Sequence, residues 1–179
     1  GGLYRYQRTA TASLLVNQAQ GRWKRLNNFA SNGIAIDRQG IIYVADRENS
    51  RIQLFSPDGV FIAERTGIAR PCQVAFDREE NLYVAELGYK AGMWPGTVAP
   101  SPDATGGRVS VFSPTGELLA RWGGGNNPTA RGDFFAPHDI HVDSRGDVYV
   151  AEVVMSAGGN RGLVSPKCHS LQKFSRSYN

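Results

Sequence analysis

The amino-acid sequence predicts an all-β fold, a partial β-propeller of about three to four four-stranded antiparallel blades. Three observations predict it. A pattern of apolar strand, polar turn and second strand ending in Tyr-Val-Ala and an acid occurs three times. Asp37 and Asp77 hold the same place in the first two units and lie about 40 residues apart, which is the period of a four-stranded blade. The 21 glycines and 9 prolines favour many turns over long helices.

The units follow one another along the chain. Runs such as GIAID, IIYVAD, RIQLF and VFIAE have the length of strands, and DRQG, SPDG and DSRG supply turn residues between them. We expect, in order, a poorly patterned remnant of a preceding blade at 1–31, a blade at 32–70, a blade at 71–136 with an insertion at 87–107, and a blade at 137–179 with an insertion at 153–169 and without its last strand.

Three units are too few for a closed ring, because closed propellers have roughly 4 to 8 blades. Blades of this kind bury their faces only against each other. We therefore expect that the chain is a fragment of a longer propeller or, alternatively, that two copies pair. The expected partners are the missing blades or a second copy, and a peptide or small molecule at the mouth of the channel.

Composition argues against several functions. The net charge of +4 is spread along the chain without a block of like charges, so no nucleic-acid groove is indicated. No apolar run approaches the roughly 18 residues that span a bilayer. Cys72 and Cys168 lie far apart, which indicates neither a disulfide framework nor a cysteine zinc site. The sequence contains no nucleophile elbow, phosphate-binding loop or H-E-x-x-H motif. The cellular compartment stays open.

One end of the blades collects the unusual residues. In a four-stranded meander, the first strand starts and the second strand ends at the same end, and both insertions fall there. Tyr89 and Trp94 in the first insertion are candidate substrate-binding side chains, with packing on the blade beneath as the alternative. Asn32, Cys72 and His138 hold the same position just before the first strand of their units, where we expect them to face the channel mouth.

His138 and Asp139 form the sharpest pair in the sequence. An imidazole and a carboxylate at the mouth suit metal binding or proton transfer, and a structural or solvent-facing histidine is the alternative. His141 falls inside the strand and is expected to pack, while His169 has no visible partner. Acidic residues that recur in every unit are expected to tether loops by hydrogen bonds; they are Asp46, Glu86 and Glu152.

The stretches VADRENSRIQLF and FFAPHDI resemble the peptidyl-α-hydroxyglycine α-amidating lyase family, six-bladed propellers of the NHL type that finish the making of peptide amides. The resemblance covers residues 32–177. Further stretches, AELGYKAGMWPG, RWGGG, GDFFAPHDI and SAGGNRGLV, are similar to an uncharacterised bacterial branch of that family. The resemblance implies that the chain corresponds to the C-terminal half of such a propeller.

The resemblance also implies a site. In the lyase family, three histidines at blade starts hold a zinc ion, a calcium ion lies in the channel, and an arginine flanks the substrate. By motif, His138 matches a zinc ligand, Asp139 the calcium-binding carboxylate, and Arg47 the catalytic arginine. The alternative for Arg47 is a surface ion pair with Glu48 or Asp46. Asn32, a weaker substrate-binding candidate, stands where the family has a second zinc histidine, and asparagine is a poor zinc ligand.

The function that this resemblance implies is that of a fragment of a lyase, not active alone, that splits a peptidyl-α-hydroxyglycine into a peptide amide and glyoxylate. A non-catalytic NHL module that binds a protein, peptide or other ligand is the first alternative. A calcium-dependent hydrolase of the lactonase kind, suggested by NGIAID and YVAD, is the second.

Overall fold

The computed structural model describes residues 31–90, 99–101 and 104–177. Their strands form three antiparallel sheets. The first contains β1 (Ser31–Ile36), β2 (Ile42–Asp46), β3 (Arg51–Phe55) and β4 (Phe61–Arg65). The second contains β5 (Pro71–Phe76), β6 (Leu82–Glu86), β7 (Arg108–Phe112) and β8 (Leu118–Gly123). The third contains β9 (Pro137–Val142), β10 (Val148–Glu152) and β11 (Leu171–Phe174). The predicted all-β partial propeller is confirmed.

Every sheet is a meander in which consecutive strands are neighbours. Short helical turns interrupt the pattern at the ends of second strands. A 3-10 turn at Arg47–Asn49 follows β2, and helix α1 (Val154–Ala157) with a 3-10 turn at Gly159–Arg161 follows β10. Among the described residues, no helix is long and apolar enough to cross a membrane.

The turn after the first strand of each sheet is fixed by the same side chain. Asp37, Asp77 and Asp143 each accept two backbone N–H groups of their turn through Oδ1, at 2.8–3.1 Å. Tyr83 donates its hydroxyl to the other oxygen of Asp77 at 3.2 Å, and Tyr149 donates likewise to Asp143. Burial, with the charge of Asp77, raises the pKa of Tyr83 to about 12. The repeat seen in the sequence is therefore partly a repeat of turn chemistry.

The sheets pack face to face, with β1, β5 and β9 side by side. Two apolar clusters of matching composition fill the interfaces. Between the first and second sheets the cluster includes Tyr43, Ala45, Ile52, Val74, Val84 and Phe112. Between the second and third sheets it includes Ala85, Val109, Ile140, Val142, Val148 and Val150, with Tyr83 and Phe174 at its edge. Each fully buried aliphatic side chain contributes about 1.5–3 kcal/mol, so stacking of the sheets holds this part of the molecule together.

The other face of the first sheet carries the same apolar pattern. Ile34 and Ile36 on that face are 60% and 61% exposed. Val74 and Phe76, at the matching positions of β5, pack against the first sheet. The first sheet therefore presents a face of the type that receives a neighbouring sheet.

Candidate functional site

The starts of β1, β5 and β9 lie beside the ends of β2, β6 and β10, and we call this end of the sheets the rim. A bulge interrupts the strand pairing at the rim of each sheet, and the extra residues are Asn32, Cys72 and His138. The register thus confirms that these three residues are equivalent, although they lie within the first strands and not before them. A bulge redirects the side chain that it carries, so the rim is where the three sheets can differ in chemistry.

Arg47 follows β2 at the rim and is buried. Its Nε donates to Glu48 Oε1 at 2.7 Å, which is the ion pair considered as the alternative role. Among the described residues, none accepts a hydrogen bond from its two terminal nitrogens. Leu87 and Val153 hold the same place in the other two sheets and belong to an apolar cluster. An arginine therefore stands where stacking of the sheets uses an aliphatic side chain.

A second arginine reaches the same carboxylate. Arg70, in the connection between β4 and β5, is fully buried, with 0% exposure. Its Nη2 lies 3.1 Å from Glu48 Oε1, and its Nη1 donates to the carbonyl oxygen of Gly88 at 3.1 Å. Burial alone would raise the pKa of Glu48, but the hydrogen bonds and charges of Arg47 and Arg70 outweigh it and lower that pKa. Glu48 is thus held as an anion between two guanidinium groups.

His138 is half-buried at the rim. Burial, then the positive charge of Arg47, lowers the pKa of its imidazole, and the charge of Asp139 opposes them. The imidazole is therefore neutral at pH 7, and Arg47 lies close enough to act on it electrostatically. Asp139 is exposed on the face of β9 opposite to buried Ile140, whose N–H its Oδ1 accepts at 2.9 Å. The structure brings Arg47 and His138 to one end of the sheets, with Asp139 adjacent.

The acids that recur in every unit tether the chain, as the repeat indicates. Glu152 accepts the N–H groups of Phe135 and Ala136 through Oε2, at 2.7 and 3.0 Å. Glu86 accepts the N–H of Ala69 in the matching connection. Burial raises the pKa of Glu152 although these hydrogen bonds oppose the change. In the first sheet the acid instead accepts side-chain donors, as Asp46 Oδ2 does from Arg51 and Gln53.

The segment 153–169 is a folded cap. Its apolar side chains pack with residues of the rim in one cluster, made of Cys72, Leu87, Phe135, Ala136, Val154, Ala157, Val164 and Cys168. Cys72 is only 1% exposed there. The expectation that Cys72 faces the channel mouth is therefore wrong, because the cap of the third sheet covers it. Cys168 is buried too, and the side chains of both cysteines fill apolar space.

Tyr89 lies at the rim between the first two sheets. Its hydroxyl is 2.6 Å from Ser50 Oγ, and its N–H donates to the carbonyl oxygen of Thr105 at 2.9 Å. It therefore connects the turn that carries Arg47 to the second sheet. Trp94 lies outside the described residues, and for Asn32 the structure gives the backbone position in the bulge of β1.

The two remaining histidines differ from their expected settings. His169 Nε2 lies 3.3 Å from Glu152 Oε1 and 3.3 Å from the carbonyl oxygen of Asp133, so the expectation that it has no partner is wrong. The fold brings the end of the cap back to the acid that ends β10. His141 is exposed and does not pack, because strand alternation puts it on the open face of the third sheet.

The side chains implied for zinc and calcium do not complete a metal site within the described residues. That part of the chain contains no group of three or more His, Cys, Asp or Glu side chains able to hold a metal ion. Catalytic zinc sites use three protein ligands, whereas the bulge positions supply His138, a buried Cys72 and Asn32.

Comparison with known proteins bears on the fold. Residues 32–55, from β1 to the end of β3, match the model of the NHL repeat. No curated protein matches the sequence. Among solved structures, the chain is similar to a Bacteroides caccae protein of unknown function, with a TM-score of 0.57 and 14% identity over 79% of this chain and 44% of that one.

Two structures of virginiamycin B lyase from Staphylococcus aureus are also similar to this chain. The selenomethionine form has a TM-score of 0.49 at 12% identity, over 82% of this chain and 41% of that one. A catalytically inactive variant with Quinupristin has a TM-score of 0.48 at 12% identity, over 86% and 45%. The chain spans less than half the length of these three structures. The similarity to the Bacteroides caccae protein supports the propeller-like fold alone.

Arg70 is the residue at the rim that the sequence analysis missed. It lies 22 residues from Glu48 in sequence, and no local pattern connects the two. A usable signal was the comparison of units, because Arg70 precedes Pro71 whereas Ala136 precedes Pro137 at the matching place.

Proposed function

We propose that this chain forms part of the substrate rim of an NHL-type propeller that splits peptidyl-α-hydroxyglycines into a peptide amide and glyoxylate. The observation that carries the proposal is the position of Arg47, directly after β2, and of half-buried His138, in the bulge of β9, at the same rim. A substrate of this class carries a carboxylate beside a carbinolamide hydroxyl. It therefore needs a cation and a proton acceptor at neighbouring positions.

Arg47 would bind the substrate carboxylate. A guanidinium group presents paired N–H donors that match the two oxygens of a carboxylate. The Nε of Arg47 is used by Glu48, while its terminal nitrogens have no acceptor among the described residues. Leu87 and Val153 at the matching positions indicate that the fold itself does not require a charge there. These contacts support recognition of an anion by Arg47.

His138 would serve as the proton acceptor. In the cleavage, the carbinolamide hydroxyl loses its proton, its oxygen forms the carbonyl of glyoxylate, and the C–N bond breaks. The departing amide nitrogen takes up a proton, so an imidazole that accepts the hydroxyl proton and returns it to nitrogen balances the reaction. The lowered pKa keeps His138 in the neutral form that this role requires.

A non-catalytic binding module is the second candidate. Met155 and Leu163 in the cap of the third sheet are 46% and 60% exposed. Exposed apolar side chains in a cap at the rim that also carries Arg47 suit a peptide with an apolar residue near its terminal carboxylate. This arrangement would serve binding without chemistry equally well.

Two measurements test the proposal. The first compares binding of N-benzoylglycine, which ends in a carboxylate, with binding of its neutral amide, N-benzoylglycinamide, by titration calorimetry. We expect the wild type to prefer the carboxylate ligand by about tenfold or more, and Arg47→Met to remove the preference, since a hydrogen bond to a charged group contributes about 1.5–3 kcal/mol. Arg38→Met, which changes an exposed arginine at the opposite end of the first sheet, is the matched control.

The second measurement is glyoxylate release from N-benzoyl-α-hydroxyglycine by a complete propeller that contains this chain, because the chain is expected to be inactive without the missing blades. Release that depends on both Arg47 and His138 would support the lyase. Carboxylate preference without release would favour the binding module. If the wild type did not distinguish the carboxylate from the amide, both functions of this rim would be excluded.

A further inference from the structure

We propose that Glu48 and Arg70 form a positioning pair that fixes the guanidinium group of Arg47 for recognition of a carboxylate. The inference rests on the proposed function, because Arg47 is the group that would touch the ligand. Glu48 Oε1 is the shared atom, 2.7 Å from Arg47 Nε and 3.1 Å from Arg70 Nη2. Glu48 and Arg70 act through Arg47 and need not contact the ligand themselves.

The geometry leaves Arg47 with its Nε engaged and its terminal nitrogens available. A hydrogen bond to Nε restricts rotation of the planar guanidinium group, so the remaining donors keep one direction. Arg70 in turn holds Glu48, and its other donor reaches the carbonyl oxygen of Gly88 in the second sheet. The turn that carries Arg47 is thereby linked to the neighbouring sheet. A donor held in place before the ligand arrives loses less side-chain entropy on binding.

The backbone of Arg70 adds an independent observation. Its φ is +55°, in the left-handed region that a side chain with a Cβ rarely adopts. Glycine or asparagine would hold this conformation with less strain, so the structure keeps an arginine where the backbone disfavours one. Ala136 at the matching place of the third sheet is not among the described residues with positive φ. Stacking of sheets therefore requires neither the guanidinium group nor the left-handed conformation.

The charge of Glu48 allows a test in which Coulomb repulsion and positioning predict opposite changes in affinity. Glu48 is an anion near the place where a carboxylate ligand would bind, so Coulomb repulsion alone predicts that Glu48→Gln strengthens carboxylate binding. Positioning predicts the reverse, because the substitution weakens the contact that holds Arg47 Nε. The two explanations therefore differ in the direction of the change and not only in its size.

The experiment measures the affinities of N-benzoylglycine and N-benzoylglycinamide for the wild type, Glu48→Gln and Arg70→Asn. Asparagine is chosen because it tolerates a left-handed backbone. We expect each variant to weaken binding of the carboxylate ligand by about tenfold while binding of the neutral amide stays unchanged, since one charge-assisted contact is misplaced. Glu64→Gln is the matched control, because it removes a carboxylate that pairs with Arg51 in the same sheet.

The outcomes separate the inference from the proposed function. A wild type without carboxylate preference would exclude the proposed function, and with it this role of the pair. A preference that survives or increases in Glu48→Gln would leave the proposed function standing and overturn the positioning pair. Equal weakening of both ligands would also overturn it, because that result indicates general damage to the rim. If Arg70→Asn does not fold, Glu48→Gln decides alone, since it preserves the size of the side chain.

Discussion

The tethering role of Glu86 leads to a quantitative prediction for Glu86→Gln. The carboxylate is fully buried and accepts the N–H of Ala69 and Arg108 Nε through Oε2, and the hydroxyl of Ser110 through Oε1. Glutamine keeps one accepting oxygen and replaces the other with a donor. The bond from Arg108 then loses its charge assistance and the bond from Ser110 loses its acceptor. A hydrogen bond to a charged group contributes about 1.5–3 kcal/mol to stability, and one between neutral groups about 0.5–1.5 kcal/mol. We therefore expect Glu86→Gln to lower the free energy of unfolding by about 2–4 kcal/mol.

Urea unfolding followed by tryptophan fluorescence measures this loss as a change in the free energy of unfolding. Glu117→Gln is the control, since Glu117 is an exposed residue in the turn before β8 of the same sheet. A surface change of this kind is expected to stay within about 0.5 kcal/mol. If Glu86→Gln lowered the free energy of unfolding by no more than the control does, the carboxylate would not hold the connection between sheets and the reasoning would fail.

Three further predictions concern the rim and the sheet faces. Arg47→Met should raise the pKa of His138 in an NMR titration, because it removes a positive charge that lowers this pKa. The pKa of His138 is lower in the folded than in the unfolded state, so the wild type loses stability as pH falls through about 6.5, and the variant should lose less. Gly88→Ala should lower the free energy of unfolding in urea by more than about 2 kcal/mol, because its φ is +68° and a Cβ would collide with a neighbouring backbone carbonyl. Gly67→Ala, where φ is +75° and the space around the Cβ is open, should lower it by only about 1–2 kcal/mol. Ile36→Glu should give a smaller species than the wild type in sedimentation velocity, since it charges an exposed apolar face, and identical sedimentation would count against association through that face.

The sequence was sufficient for the fold because the repeat is local. Turn residues such as Asp37 and Asp77 accept hydrogen bonds from backbone N–H groups two and four positions ahead. Between them, β2 and β3 are short runs of residues that are buried almost throughout. These interactions span few residues and so leave a readable pattern. The cap at 153–169 was not predicted as a folded element, because its helix α1 has one turn and depends on burial against distant residues such as Cys72.

The candidate site was predicted in part for a related reason. Equivalent positions in the units located the bulge residues, and the motif match pointed to Arg47 and His138, which the fold brings to one rim. Arg70 escaped notice because its contact with Glu48 joins two sheets across 22 residues. A contact of that kind depends on how sheets stack, which strand patterns alone do not specify.

Because the three sheets repeat one pattern, equivalent positions can be compared to show which residues sheet stacking requires. Burying a guanidinium group costs free energy unless its hydrogen bonds are replaced, and the terminal nitrogens of Arg70 find acceptors in Gly88 and Glu48. Yet Ala136 occupies the matching position, and Leu87 matches Arg47, so the stacking of sheets is achieved elsewhere without either charge. Both departures from the repeat meet at one carboxylate. Sheet stacking does not explain this cluster of charges, whereas the proposed presentation of Arg47 to an anionic ligand would explain it.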